Sequence, residues 1–178
     1  MQSIYFVDSN FTYESSKKSI LSIRYATDGF SFCVHDETEK LVVFVHEPYA
    51  ADSREAAVDR LKNYVVNDAI LNLRFKKVYI MPCFKEKLLV PGAFFDKANI
   101  ATLYTVNQEV APDDTILYHH IEGIEAYLVE TVISSFHDFV REHFSVVQIV
   151  NGAYPFILGA MAKALRDTEQ IFLDIQDN

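Results

Sequence analysis

Residues 19–49 read SILSIRYATDGFSFCVHDETEKLVVFVHEPY, and this stretch decides the fold class. Apolar side chains alternate at Leu21, Ile23 and Tyr25 and again at Phe30, Phe32 and Val34, while Leu41 to Val45 is a nearly unbroken apolar run. A period of two sends alternate side chains to one face, the mark of a half-buried strand. The separating segments ATDG and DETEK have turn composition, and Asp28-Gly29 is the stronger hairpin signal because glycine accepts positive φ at no steric cost. The stretch predicts a three-stranded antiparallel meander over residues 20–25, 30–36 and 41–46.

Downstream the period changes. In ADSREAAVDRLKNYVVNDAILNL (51–73), Ala57, Leu61, Tyr64, Val65 and Ala69 recur at helical spacing, with Asp52 or Ser53 as cap and Glu55 in the first turn. FKKVYIMP (75–82) reads as a short buried strand stopped by Pro82, parallel to the first strand of the meander, which is then central. Residues 83–114 are irregular: KLLVP suits a strand ended by Pro91, GAFFDKANIATLY a helix or two turns, and NQEVAPDD is polar. No Ser/Gly-rich linker occurs there, so the stretch reads as an excursion within one domain.

TILYHHIEG (115–123) predicts a strand. IEAYLVETVISSFHDFVREHF (124–144) predicts one helix of about six turns, with Ile124, Tyr127, Leu128, Phe136, Phe139, Val140 and Phe144 on its apolar face. SVVQIV (145–150) is a buried strand, NGAYPFILGAMAKALRDT (151–168) an apolar helix with Pro155 in its first turn, and EQIFLDI (169–175) a final strand. The order is βββαβ, an excursion, then βαβαβ, which implies a mixed α/β sheet covered by helices.

Composition bounds the function. The chain has 178 residues, half of them hydrophobic and 23% charged, enough for a real core. Sixteen Lys and Arg stand against 25 Asp and Glu, net −9, and the basic residues gather no further than the pairs Lys17-Lys18 and Lys76-Lys77. Phosphate-backbone binding needs converging cations, so nucleic acid is not an expected partner. No apolar run reaches the ~20 residues that span a bilayer, and the start MQSIYFVDSNFTYESSKK lacks the basic-then-apolar order of a signal peptide. A cytoplasmic location is the expectation, without membrane insertion.

Reactive residues form no sequence-evident constellation. Cys33 and Cys83 sit in separate apolar runs without CxxC spacing and read as small buried hydrophobes. His119 and His120 would point to opposite faces of a strand, and His137 and His143, six residues apart, to opposite sides of a helix, so neither pair, even with Glu122 nearby, makes a metal site. Ser134-Ser135 has no neighbouring base, and neither G-x-S-x-G nor a P-loop occurs. No catalytic residue is assigned.

The element order and several passages resemble a known fold. REHFSVVQIVNGAYPFILGAMAKAL (141–165) followed by IFLDIQDN (171–178) is similar to the pilus-assembly branch of the actin-like ATPases. LSIRYATDGFSFCVHD (21–36), with KKVYIMP (76–82) and KLLVP (87–91), resembles a bacterial family of unknown function assigned to the same fold. The resemblance spans residues 19–178. It implies an actin-like ATPase (ribonuclease H-like) lobe of the α/β class, with a mixed sheet in βββαβαβα order and helices on both faces. On this reading residues 1–18 are an N-terminal extension, 19–168 the first lobe with its excursion at 83–114, and 169–178 the first strand of a second lobe that the chain lacks. The alternative is that IFLDI completes the sheet of a free-standing domain.

Actin-like ATPases hold phosphates in two D-x-G-(T/S) hairpins, where glycine lets backbone N–H groups approach the oxygens. The resemblance therefore singles out Thr27, Asp28 and Gly29 as a degenerate first loop, with Arg24 where the strand should present its acid, and Asp174 and Asp177 in the second. Gln176 and Asp177 stand where the ATPases prefer glycine. Asp28-Gly29 also fits an ordinary tight turn, and Asp174 a carboxylate satisfied by its own turn. A complete cleft would take ATP and magnesium. The weak first hairpin instead favours a non-enzymatic adaptor or scaffold that binds proteins or itself, against the alternative of a nucleotide-binding ATPase or kinase-type enzyme with an intact second lobe.

Overall fold

The computed structural model describes residues 2–121 and 123–164. The elements are β1 (Ile4–Val7), α1 (Tyr13–Ser16), β2 (Ile20–Ala26), β3 (Gly29–His35), β4 (Leu41–Pro48), α2 (Arg54–Asn67), β5 (Lys77–Pro82), β6 (Lys87–Pro91), α3 (Ile100–Asn107), β7 (Asp114–Ile121), β8 (Ala126–Ile133), α4 (Ser134–His143), β9 (Val147–Ile149) and α5 (Ala153–Ala164). They fall into two compact units, one of residues 2–84 and 135–150, the other of the described residues in 85–134 and 151–164.

The first unit holds a six-stranded sheet in the order β1-β4-β3-β2-β5-β9. The meander is as the alternation predicts: β2, β3 and β4 are antiparallel neighbours, and β2 runs parallel to β5 with Ile23 opposite Ile80. Alternation sends Leu21, Ile23 and Tyr25 of β2 to one buried face together with Phe30, Phe32 and Val34 of β3. Helices α2 and α4 pack there. Tyr64 of α2 meets Phe30 edge-on with ring centroids 4.5 Å apart, and Phe136 of α4 meets Tyr25 at 5.0 Å. Helix α2 begins at Ser53, whose hydroxyl accepts from the Ala56 N–H, and it ends before Ala69. Strand β1, in a segment where the sequence signals no element, pairs antiparallel with β4.

The second unit corrects the reading of residues 124–144 as one helix. Residues 126–133 are β8, the centre of a three-stranded sheet β6-β8-β7, and the helix occupies only Ser134–His143. Seven of the eight β8 residues are buried, so both faces are apolar and the period-two signal disappears. The β-branched run Val129, Thr131, Val132 and Ile133 was the surviving clue. The strand at 115–119 is present as β7, but its partner is β8 rather than the six-stranded sheet. Residues 83–114 supply β6, a 3-10 turn at Gly92–Phe94 and α3, whose Ile100 and Tyr104 pack with Val90 and Val129. Helix α5 starts where the sequence places it, with Pro155 in its first turn. With β1 and α1 at the start, and β6, α3, β7 and β8 in the middle, left aside, the chain reads β2β3β4α2β5α4β9α5, the expected βββαβαβα order.

Candidate functional site

Two polar constellations stand out, one in each unit. The first is the β2–β3 turn. Thr27 and Asp28, both half-buried, are its corner, and Gly29 opens β3 at φ +146°, a conformation that side-chain-bearing residues rarely adopt. The turn is backed by its own chain. The Ala51 N–H donates to the Thr27 carbonyl at 2.8 Å and the Tyr49 N–H to the Asp28 carbonyl at 3.1 Å. Arg24 reaches the Asp28 carboxylate at 3.5 Å. A Cβ on Gly29 would lie 2.6 Å from the Glu47 carbonyl oxygen, so the missing side chain leaves room for strand β4. Tyr49 is held beneath by burial, which pushes its hydroxyl up to about 12, and the Arg60 guanidinium lies 5.0 Å from its ring centroid. Thr27, Asp28 and Gly29 are thus together; Asp174 and Asp177 lie outside the described residues.

The second constellation was missed in the sequence. Glu130 of β8 is 3% exposed and Asn151 fully buried. The Asn151 amide donates from Nδ2 to Glu130 Oε2 at 2.7 Å, while its Oδ1 accepts from the Ala153 N–H at the start of α5. Glu130 Oε1 faces His119 Nε2 at 3.9 Å, beyond hydrogen-bond range, and neither atom has a hydrogen-bond partner among the described residues. Burial drives the Glu130 carboxyl up to about 8, against a smaller downward pull from Lys87, its register partner on β6. Burial also lowers the His119 imidazole below its ordinary range. Both shifts favour neutral side chains. The clue was the single acid in LVETVI, hidden by the helical reading.

The other singled-out residues do not converge. His120 points to the opposite face from His119 and lies 3.8 Å from Glu125, while His137 lies 3.2 Å from Asp138. No group of three or more His, Cys, Asp or Glu able to hold a metal occurs among the described residues. Cys33 and Cys83 are free, and burial raises the Cys33 thiol, which disfavours the reactive thiolate. No helix among the described residues is long and apolar enough to cross a membrane.

Comparison with known proteins narrows the setting. A family model described as "Protein of unknown function (DUF3822)" matches residues 8–178. A crystal structure from Bacteroides thetaiotaomicron, described as a protein with actin-like ATPase fold and unknown function, is similar with a TM-score of 0.77 and 22% identity, over 86% of this chain and 60% of that one. At that identity the likeness establishes the fold, and this chain spans 60% of its neighbour's length. A Marinitoga piezophila Argonaute solved with a 5′-OH guide RNA matches at TM-score 0.29 and 10% identity, over 71% of this chain and 26% of that one, too low to bear on the fold. No curated protein matches the chain.

Proposed function

The chain belongs to the DUF3822 family and has the actin-like ATPase fold, and from that premise we propose that it works as a protein-binding adaptor or scaffold whose first phosphate hairpin is degenerate. The observation that carries this reading is the use made of Gly29. In a phosphate hairpin, glycine clears a path for phosphate oxygens to reach backbone N–H groups. Here the cleared space is taken by the Glu47 carbonyl. Asp28, the one carboxylate of the turn, is engaged by Arg24 and so is a poor candidate to hold a magnesium ion or its water.

Protein binding is supported by β1. It lies at the edge of the six-stranded sheet and exposes Ile4, Tyr5 and Phe6 in succession, with no charge or proline to discourage a further strand.

The test is a thermal-shift titration of the full chain with magnesium-ATP. A ligand bound only by the folded state raises the melting temperature by mass action. The expected result is no shift at millimolar nucleotide. A saturable shift abolished by Asp174→Ala would overturn the adaptor reading in favour of a nucleotide-dependent enzyme or switch.

A further inference from the structure

The polar groups of β7, β8 and the α5 start have no part in the function proposed above, yet burying them is costly. A buried polar atom without a partner is destabilising, and Glu130 Oε1 and His119 Nε2 face each other with no hydrogen-bond partner among the described residues. Nearly all buried polar atoms in folded proteins are paired, so a facing pair of orphans calls for a proton or a water between them.

We propose that Glu130, His119 and Asn151 form a proton-dependent latch on α5. When the Glu130 carboxyl is protonated, a small closure of the 3.9 Å gap lets it donate from Oε1 to His119 Nε2, leaving Oε2 to accept from Asn151. Asn151 is then fixed at both ends of its amide, and its Oδ1 and backbone carbonyl hold the Ala153 and Tyr154 N–H groups of the first turn. When Glu130 releases its proton to water, a carboxylate remains where almost no solvent reaches. It is relieved by admitting water, and α5 is the element that yields, because none of its described residues is buried.

The groups facing the carboxyl set the pH window. They are His119 from β7, Lys87 from β6 and Asn151 ahead of α5, with the Tyr154 ring 6.2 Å from the His119 ring. Glu130 titrates near 4.5 when the latch is open and near 8 when it is closed, so opening becomes easier as pH rises between those values. His119 works in the other direction: its imidazole gains a proton more readily in the open state, so opening becomes easier as pH falls below about 6.5. The two slopes oppose one another below about 6.5. From about 6.5 to 8 the Glu130 slope acts alone, and the latch loosens by up to about tenfold per pH unit.

The experiment is amide hydrogen exchange by NMR at Ala153 and Tyr154, corrected for base catalysis, from pH 5.5 to 9. In the wild type, protection should fall by at least about tenfold between pH 6.5 and 8 and then level off. Glu130→Gln, which has no proton to lose, should keep protection level from 6.5 to 8. A wild-type profile that is flat over this range, or a variant profile as steep as the wild type, overturns the latch. Should Glu130→Gln fail to fold, infrared spectroscopy of the wild type decides. The carbonyl band of a protonated carboxylic acid should be present at pH 6.5 and gone at pH 9, and its absence at pH 6.5 overturns the proposal.

Discussion

Gly29 approaches Glu47 so closely across the β3–β4 ladder that a Cβ at position 29 would stand 2.6 Å from the Glu47 carbonyl oxygen and 3.0 Å from the Pro48 Cα. Both obstacles are backbone and cannot swing aside. Gly29→Ala therefore combines a strained φ with overpacking, and unfolding in urea should show a loss of about 2–4 kcal/mol. Gly159 gives the opposite expectation. It lies inside α5 with nothing among the described residues within 4 Å of an added Cβ, so Gly159→Ala should stabilise α5 by about 0.5–1 kcal/mol. Equal effects at the two sites would contradict the account of the turn.

Ser53 and Asp52 were equivalent cap candidates in the sequence, and the structure chooses Ser53 by its 3.1 Å bond from the Ala56 N–H. Ser53→Ala should lower stability by about 1 kcal/mol, while Asp52→Ala should change it by less than about 0.5 kcal/mol. Thermal unfolding of the two variants side by side reads the difference.

What the sequence made legible follows from how each element is buried. The meander shows through because β2 and β3 alternate between buried and half-exposed positions, so Leu21, Ile23 and Tyr25 stand out against Ser22 and Arg24. Strand β8 is wrapped on both sides, and its apolar residues could be fitted to a helical face as easily as to a strand. That misreading also hid Glu130, since an acid on a long amphipathic helix needs no explanation, whereas one in a central strand does. Strand β1 escaped notice because its four residues are an apolar run too short to carry a period. The turn at Thr27–Gly29 was legible as a turn, but the engagement of Gly29 by Glu47 depends on a strand eighteen residues further on, and local composition carries no record of it.

Phe136 and Phe139 had the same apparent role on one long helix. In the fold Phe136 is fully buried against Tyr25, and Phe139 is only half-buried, with His143 stacked at 5.6 Å. Phe136→Ala should cost about 3–5 kcal/mol by leaving a cavity beneath β2. Phe139→Ala should cost less than half as much. Denaturant midpoints at constant m-value separate the two; similar costs would mean that α4 is rotated about its axis.

The pH dependence of global stability gives a check on Glu130 that is independent of α5. Folding raises its carboxyl from 4.5 to about 8, so the folded chain holds one more proton than the unfolded chain between those values. The stability this group contributes is complete below pH 4.5 and is lost as pH rises towards 8, after which the loss is constant. Glutamine has nearly the same shape, accepts from Asn151 through its carbonyl oxygen and does not titrate. Relative to the wild type, Glu130→Gln should therefore gain stability steadily between pH 5 and 8, by on the order of a few kcal/mol, and gain nothing more from 8 to 9.5. His119 contributes in the reverse sense. Its lowered imidazole gives stability that is present above pH 6.5 and lost as pH falls, and this acid limb should persist in Glu130→Gln. Urea unfolding of both proteins at half-unit pH steps measures the difference directly. A constant difference across the range would mean that Glu130 is ionised in the fold, and that His119 or water already compensates its charge.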